Sequence, residues 1–179
     1  MLATRQIENL ALIGFMGTGK SSVGRLVADT LHFTFLDTDH VIESRAGKSI
    51  HKIFEDEGEP AFRELERRLV EELSRRKKTV IATGGGLPVN EANLASLKRH
   101  ALIVCLWASP EKIFERVHHQ SHRPLLNEPE PMEKIRRLLA EREPYYRQAD
   151  VLLNTDLRPL REVAGQVIHQ FRLVQAVPP

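Results

Sequence analysis

The residues best suited to do chemistry sit together near the start of the chain, in Gly14-Phe-Met-Gly-Thr-Gly-Lys-Ser21. Gly14, Gly19, Lys20 and Ser21 satisfy the spacing G-x-x-x-x-G-K-S/T, with the apolar run Leu10 to Ile13 before it and a helix-like pattern from Val23 after it. That strand-to-helix setting is the one in which the spacing binds phosphate. Glycines let the backbone turn so that successive N–H groups point inward at phosphate oxygens, and the positive end of the following helix reinforces them. The expected nucleotide-binding residues are therefore Gly17, Thr18, Gly19, Lys20, Ser21 and Ser22. Lys20 reaches the β- and γ-phosphates, and Ser21 offers its hydroxyl to Mg²⁺, which prefers oxygen ligands. The implied ligand is a nucleoside triphosphate, ATP. The loop alone does not separate a kinase from a motor, a GTPase or an ATP sensor.

A second chemical signal is "FLDTDHVIE", which puts Asp37 and Asp39 at the carboxyl end of a predicted strand. Ligands of open α/β sheets bind at that edge. No acid closes the later apolar runs "TVIATGGG" and "ALIVCLWAS", so Asp37 is the candidate to hold the magnesium shell. Two residues on, Asp39 is placed to accept a hydrogen bond from a hydroxyl nucleophile and orient it, as phosphoryl transfer requires. The competing reading is that these aspartates cap the next helix, a task that occupies one of them and not both.

These groups need a scaffold, and the rest of the chain describes one. Short β-like runs alternate with longer helical patterns through 179 residues, which argues for one α/β domain with a parallel sheet and helices on both faces. The strands read as continuous apolar runs, as burial on both faces demands. Between "FLDTD" and "TVIAT" lie about forty residues of helical periodicity, too many for one crossover, so a helical insertion is expected. The stretch "HHQSHRPLLNEPEPMEK" is polar and proline-rich and reads as a mobile loop or lid.

Charge is nearly balanced, 26 basic against 24 acidic residues, which argues against a nucleic-acid coat. No apolar run approaches a membrane span, and the single cysteine, Cys105, lies in an apolar run where burial is expected. A cytoplasmic protein is the expectation. Arg75 to Lys78 are read as capping the preceding helix, Arg67 and Arg68 as solvated charges, and Trp107 as a packing residue. Phe54 and Phe62 fall with Ile50 and Leu65 on a core stripe. His118, His119 and His122 lack the fixed scaffold and fourth ligand that a tetrahedral metal site needs.

With the loop, "DTDHVIE", "FRELE", "TGGG", "RPLL" and "REPYYRQAD" in this order, the chain resembles the shikimate kinase family from about Asn9 to about Phe171. The resemblance implies a P-loop, nucleoside-monophosphate-kinase-like fold with a five-stranded parallel sheet. It also implies a helical substrate-binding insertion over about 38–75 and a lid over about 118–131. The implied reaction moves the γ-phosphoryl of ATP to the 3-hydroxyl of shikimate, with Mg²⁺ as cofactor and the protein acting as a monomer.

Carried onto this sequence, the resemblance makes Asp39 the residue that binds and polarises the acceptor hydroxyl, and gives the acceptor carboxylate to Arg63 and Arg142. Planar guanidinium forks suit that anion. Gly84, Gly85 and Gly86 bring backbone N–H groups against the acceptor ring, and Glu66, one turn after Arg63, orients it. Arg123 becomes the lid arginine over the phosphates, and Arg116 and Arg158 border the adenine. Leu87 departs from the small residue common there and is read as narrowing the acceptor pocket. "PYY" stands where "PLY" is common. Two competitors stay open: a kinase of another small hydroxyl compound such as a gluconate, and a non-catalytic ATP-binding module on the same fold.

Overall fold

In a computed structural model, which describes residues 5–118 and 130–176, five strands and seven α-helices follow one another in the expected alternation. The order is β1 (Asn9–Ile13), α1 (Lys20–Leu31), β2 (Thr34–Asp37), α2 (Thr38–Ala46), α3 (Ile50–Leu73), β3 (Thr79–Ala82), α4 (Glu91–His100), β4 (Ala101–Trp107), α5 (Pro110–Val117), α6 (Pro131–Tyr146), β5 (Val151–Asn154) and α7 (Leu160–Ala176). A 3₁₀ turn, Leu87–Val89, links β3 to α4. All four strand pairings are parallel, in the order β2-β3-β1-β4-β5. The carboxyl ends of β1, β2 and β3 therefore share one edge of the sheet, and the loops that follow them meet there.

Two apolar clusters, one on each face, fix the sheet. Ile13, Ile81, Ile103, Leu73, Leu87 and Leu97 belong to one, and Leu12, Val80, Val104, Val27, Val167 and Phe171 to the other. Burial on both faces holds for β1, β3 and nearly all of β4, whereas β2 and β5 lie at the sheet edges and are partly exposed. The continuous-run expectation thus applies to the interior strands only. Trp107 departs from its packing assignment for the same reason: it ends β4 beside the edge strand and is 41% exposed.

The insertion consists of α2 and α3, and α3 bends at Gly58 and Pro60, a local cause of the kind that kinks helices. Phe54 and Phe62 meet across that bend, with ring centroids 5.0 Å apart. The basic run starts by capping α3, Arg75 and Arg76 donating their backbone N–H groups to the Glu72 carbonyl at 3.2 Å and the Leu73 carbonyl at 3.0 Å. Leu73 ends α3, and Arg75 to Lys78 form the turn into β3, where Lys77 pairs with Glu8 at 2.9 Å and Thr34 donates its backbone N–H to the Lys78 carbonyl. Among the described residues no helix is long and apolar enough to cross a membrane.

A buried polar knot closes the opposite edge of the sheet. The Asn9 amide donates to the Arg76 carbonyl at 2.7 Å and its oxygen accepts the Thr79 N–H at 3.0 Å, which fixes the amide orientation. The remaining Asn9 N–H then faces His100 Nδ1 at 2.9 Å, so that ring nitrogen must be an unprotonated acceptor. Burial, aided by Arg99, lowers the His100 pKa below the ordinary histidine value. The unfolded chain takes this proton first, so its contribution to stability is present above about pH 6.5 and is lost as pH falls below it. The Tm of wild type is expected to fall more between pH 7.5 and 5.5 than that of His100→Gln, at about the scale set by one titrating group. Parallel Tm curves would remove His100 from the acid response.

Candidate active site

The loop after β1 has the shape its spacing calls for. Gly14 adopts φ +134°, and a Cβ there would run into the Leu106 carbonyl of β4. Gly19 starts α1 at φ +95°, a left-handed conformation that a side chain would strain. The buried Thr18 serves the loop itself, donating its hydroxyl to the Phe15 carbonyl at 2.8 Å. Lys20 folds back over the loop and donates to the Gly14 and Phe15 carbonyls, both at 2.8 Å. Ser22 stands exposed on the first turn of α1.

Ser21 and Asp37, sixteen residues apart, meet at the end of β2, where the Ser21 hydroxyl donates to Asp37 Oδ2 at 2.6 Å. The other Asp37 oxygen caps α2, accepting the backbone N–H groups of Asp39 at 3.1 Å and His40 at 3.4 Å. One Asp37 oxygen thus meets Ser21 while the other caps α2, and the cap is built by the Asp37 side chain rather than that of Asp39 in the first turn. Ser21 and Asp37 together present hard oxygen donors beside the phosphate loop, a set that fits Mg²⁺.

The three glycines after β3 each face a different side chain. A Cβ on Gly84 would run into the Asp39 carboxylate, one on Gly85 would lie 3.3 Å from Arg142 Nη1, and one on Gly86 would lie 2.9 Å from Arg63 Nη1. Asp39 comes from α2, Arg63 from α3 and Arg142 from α6. The bare turn is what lets the three converge. For Gly84 this changes the expectation that its N–H lines the acceptor, because that N–H donates to the buried Thr38 hydroxyl at 2.9 Å. Thr38, between the two aspartates, is a functional neighbour that sequence reasoning missed, and its place in "DTD" was the available signal.

Arg63 is clamped by two carboxylates. Glu66 Oε2 accepts from Nη1 at 2.7 Å, and Glu59 Oε1 accepts from Nε at 3.0 Å and Nη2 at 2.8 Å. Burial works against the charge on Arg63, but Glu66 and Glu59 outweigh it and keep the guanidinium firmly protonated. Glu66 is 1% exposed. Burial pushes its pKa up, while Arg63 opposes that rise and Asp39 adds to it. Arg142 lies over the Phe15 ring, with its guanidinium carbon 5.3 Å from the centroid. Arg142 therefore rests on a residue of the phosphate loop.

Other assignments fall differently. Arg116 ties the loop to the end of β5, donating Nη1 to the Gly17 carbonyl at 3.2 Å and to the Thr155 hydroxyl at 3.0 Å, and Nη2 to the Thr155 carbonyl at 2.5 Å. Arg158 turns outward to Gln166 at 2.7 Å on α7. Leu87 is fully buried in the core and narrows no pocket, which corrects that reading. Cys105 is buried in β4, and burial pushes its thiol up to about 12. His118 stacks on Phe114 with ring centroids 5.4 Å apart, while His119, His122, Arg123 and most of the lid assignment lie outside the described residues.

A phosphate loop on the central strand, an aspartate and two arginines gathered over one bare turn, and a helical insertion beside them define the nucleoside-monophosphate-kinase-like class of small-molecule kinases. Comparison with known proteins narrows the class. The family model described as shikimate kinase matches residues 16–172. A shikimate kinase from Caldanaerobacter subterraneus subsp. tengcongensis is 46% identical over 92% of this chain and 96% of its own length. The solved shikimate kinase from Acinetobacter baumannii, in complex with shikimate, aligns with TM-score 0.89 and 38% identity over 98% of both chains. The Aquifex aeolicus shikimate kinase aligns at 0.82 with 36% identity over 94% of this chain and 98% of that one. The chain belongs to the shikimate kinase family. A gluconokinase from Sinorhizobium meliloti, at TM-score 0.62 and 20% identity, shares the fold alone.

Proposed function

We propose that this chain transfers the γ-phosphoryl group of ATP to the 3-hydroxyl of shikimate, giving shikimate 3-phosphate and ADP. The observation that carries the reading is the meeting of Asp39, Arg142 and Arg63 over Gly84, Gly85 and Gly86, with Arg142 resting on Phe15 of the phosphate loop. An acceptor held there by its carboxylate has a hydroxyl beside Asp39 and its approach to the loop set by Arg142. Two guanidinium groups select an anionic acceptor over a neutral one.

In this reading the loop amides and Lys20 hold the triphosphate, Lys20 exchanging its present carbonyl partners for phosphate oxygens. Asp39 accepts a hydrogen bond from the acceptor hydroxyl and receives its proton as the O–P bond forms, and ADP departs in line. Ser21 and Asp37 would hold Mg²⁺, which when bound supplies neutralisation of phosphate charge. Buried Glu66 keeps Arg63 aimed. Arg123 is assigned to the transferring phosphoryl by the resemblance, Arg116 to the adenine side beside the Gly17 to Thr155 tie, and Arg158 to its rim. The protein works as a monomer in the cytoplasm, with a helical acceptor-binding insertion over about 38–75 and a lid over about 118–131.

The test is a coupled assay of ADP release. Release is expected to depend on shikimate and to stop when EDTA removes the divalent cation. Equal turnover with gluconate or AMP would overturn the acceptor, and no turnover with any hydroxy acid despite tight ATP binding would favour the non-catalytic module.

A further inference from the structure

The glycine turn has three carbonyls, and two of them are satisfied locally. Gly84 O accepts the Leu87 N–H at 3.2 Å and Gly86 O accepts the Val89 N–H at 3.1 Å. The third, Gly85 O, takes its hydrogen bond from another element entirely: the Tyr146 hydroxyl donates to it at 2.8 Å across 61 positions of sequence. Tyr146 is 3% exposed and ends α6, four residues after Arg142, so both side chains leave the same face of the helix. Gly85 is also the glycine that faces Arg142, at 3.3 Å from Nη1 to the position of a Cβ. The phenol thus hydrogen-bonds the turn to the helix that carries Arg142, the two elements between which the acceptor carboxylate is expected to sit.

We propose that Tyr146 is a positioning residue of the acceptor clamp, its hydroxyl tethering the Gly85 carbonyl to α6 and so fixing where Arg142 stands relative to the turn. The inference rests on the acceptor reading above. Burial raises the Tyr146 pKa to about 12, against the influence of Arg142, so the phenol stays a neutral donor under assay conditions. A buried phenol needs a partner, and its ring belongs to the core cluster that contains Phe15, Phe62 and Leu87. Removing the oxygen while keeping the ring separates the tether from the packing. Phe15 holds Arg142 from below and keeps its own carbonyl on Lys20 and Thr18. Loss of the hydroxyl therefore loosens the turn against Arg142 while the Thr18 and Lys20 hydrogen bonds to the Phe15 carbonyl stay in place.

The experiment is Tyr146→Phe, with KM for shikimate and for ATP, kcat and Tm measured in parallel. Shikimate KM is expected to rise roughly three- to tenfold, the size of one lost hydrogen bond, while ATP KM and kcat stay within about twofold. Arg142→Lys and the double variant complete the cycle. If the phenol acts through Arg142, adding Tyr146→Phe to Arg142→Lys changes shikimate KM by less than about twofold. An unchanged shikimate KM in a folded Tyr146→Phe overturns the inference, as does an equal rise in both KM values with a lowered Tm, which marks a residue that only supports the fold. Fully additive effects in the double variant overturn it too. Wild type unable to phosphorylate shikimate defeats the acceptor reading instead, so the two failures are distinguishable.

Discussion

Asp39→Asn is expected to slow phosphoryl transfer in a single turnover by roughly 10² to 10⁴, the range for loss of a positioned proton acceptor, while ATP affinity stays within about twofold. The side chain keeps its size and one carbonyl-type oxygen, so the change removes charge and basicity rather than shape. The fold is expected to tolerate it. Capping of α2 belongs to Asp37, which also receives the Ser21 hydroxyl, so Asp39 carries none of that load. Thr38 keeps the Gly84 N–H in both proteins. Loss of the neighbouring negative charge also relieves Glu66, whose pKa Asp39 helps to raise, so the Arg63 clamp is not weakened by the substitution. A quench-flow rate within about threefold of wild type, with ATP bound normally, would make Asp39 an acceptor-binding group that takes no proton.

How far the sequence led depended on how local each feature is. The phosphate loop was legible because its glycines, Lys20 and Ser21 act within eight residues, and the local backbone carries the whole device. The alternation of elements was legible because burial on both faces of β1 and β3 writes itself as unbroken apolar runs. Spacing was silent wherever the site is made by convergence. Nothing in the distance from Ser21 to Asp37 announces a 2.6 Å contact, and Arg63 and Arg142 stood out only through the family resemblance. Leu87 read as a pocket residue because it follows the glycines, yet the 3₁₀ turn points it into the core. Trp107 and the ends of β2 and β5 were misjudged for the converse reason, since edge strands carry apolar residues without being covered on both sides.

The glycine turn offers the sharpest dissection of that convergence. Gly84→Ala is expected to lower kcat by about 10² or more, comparable with a reacting group displaced by about 1 Å, because the new methyl takes space held by the Asp39 carboxylate. Asp39 is short and its backbone is fixed by the bond from its N–H to Asp37, so it has little room to yield. Gly84 has no left-handed backbone, so the loss is steric and local. Gly86→Ala meets the far end of a long arginine at 2.9 Å, but that end is already held by Glu66 and Glu59. The guanidinium must give by a few tenths of an ångström against a carboxylate that is itself buried, so the expected result is a rise in shikimate KM of roughly tenfold with kcat largely kept. Gly85→Ala, with Arg142 at 3.3 Å and the Gly14 carbonyl at 3.6 Å, is expected to be the mildest of the three. The order matters more than any single value. If the turn merely needs to be flexible, the three alanines raise KM and lower kcat alike, whereas three side chains, each occupying the space over its own glycine, require that Gly84 control the rate and Gly86 control acceptor affinity.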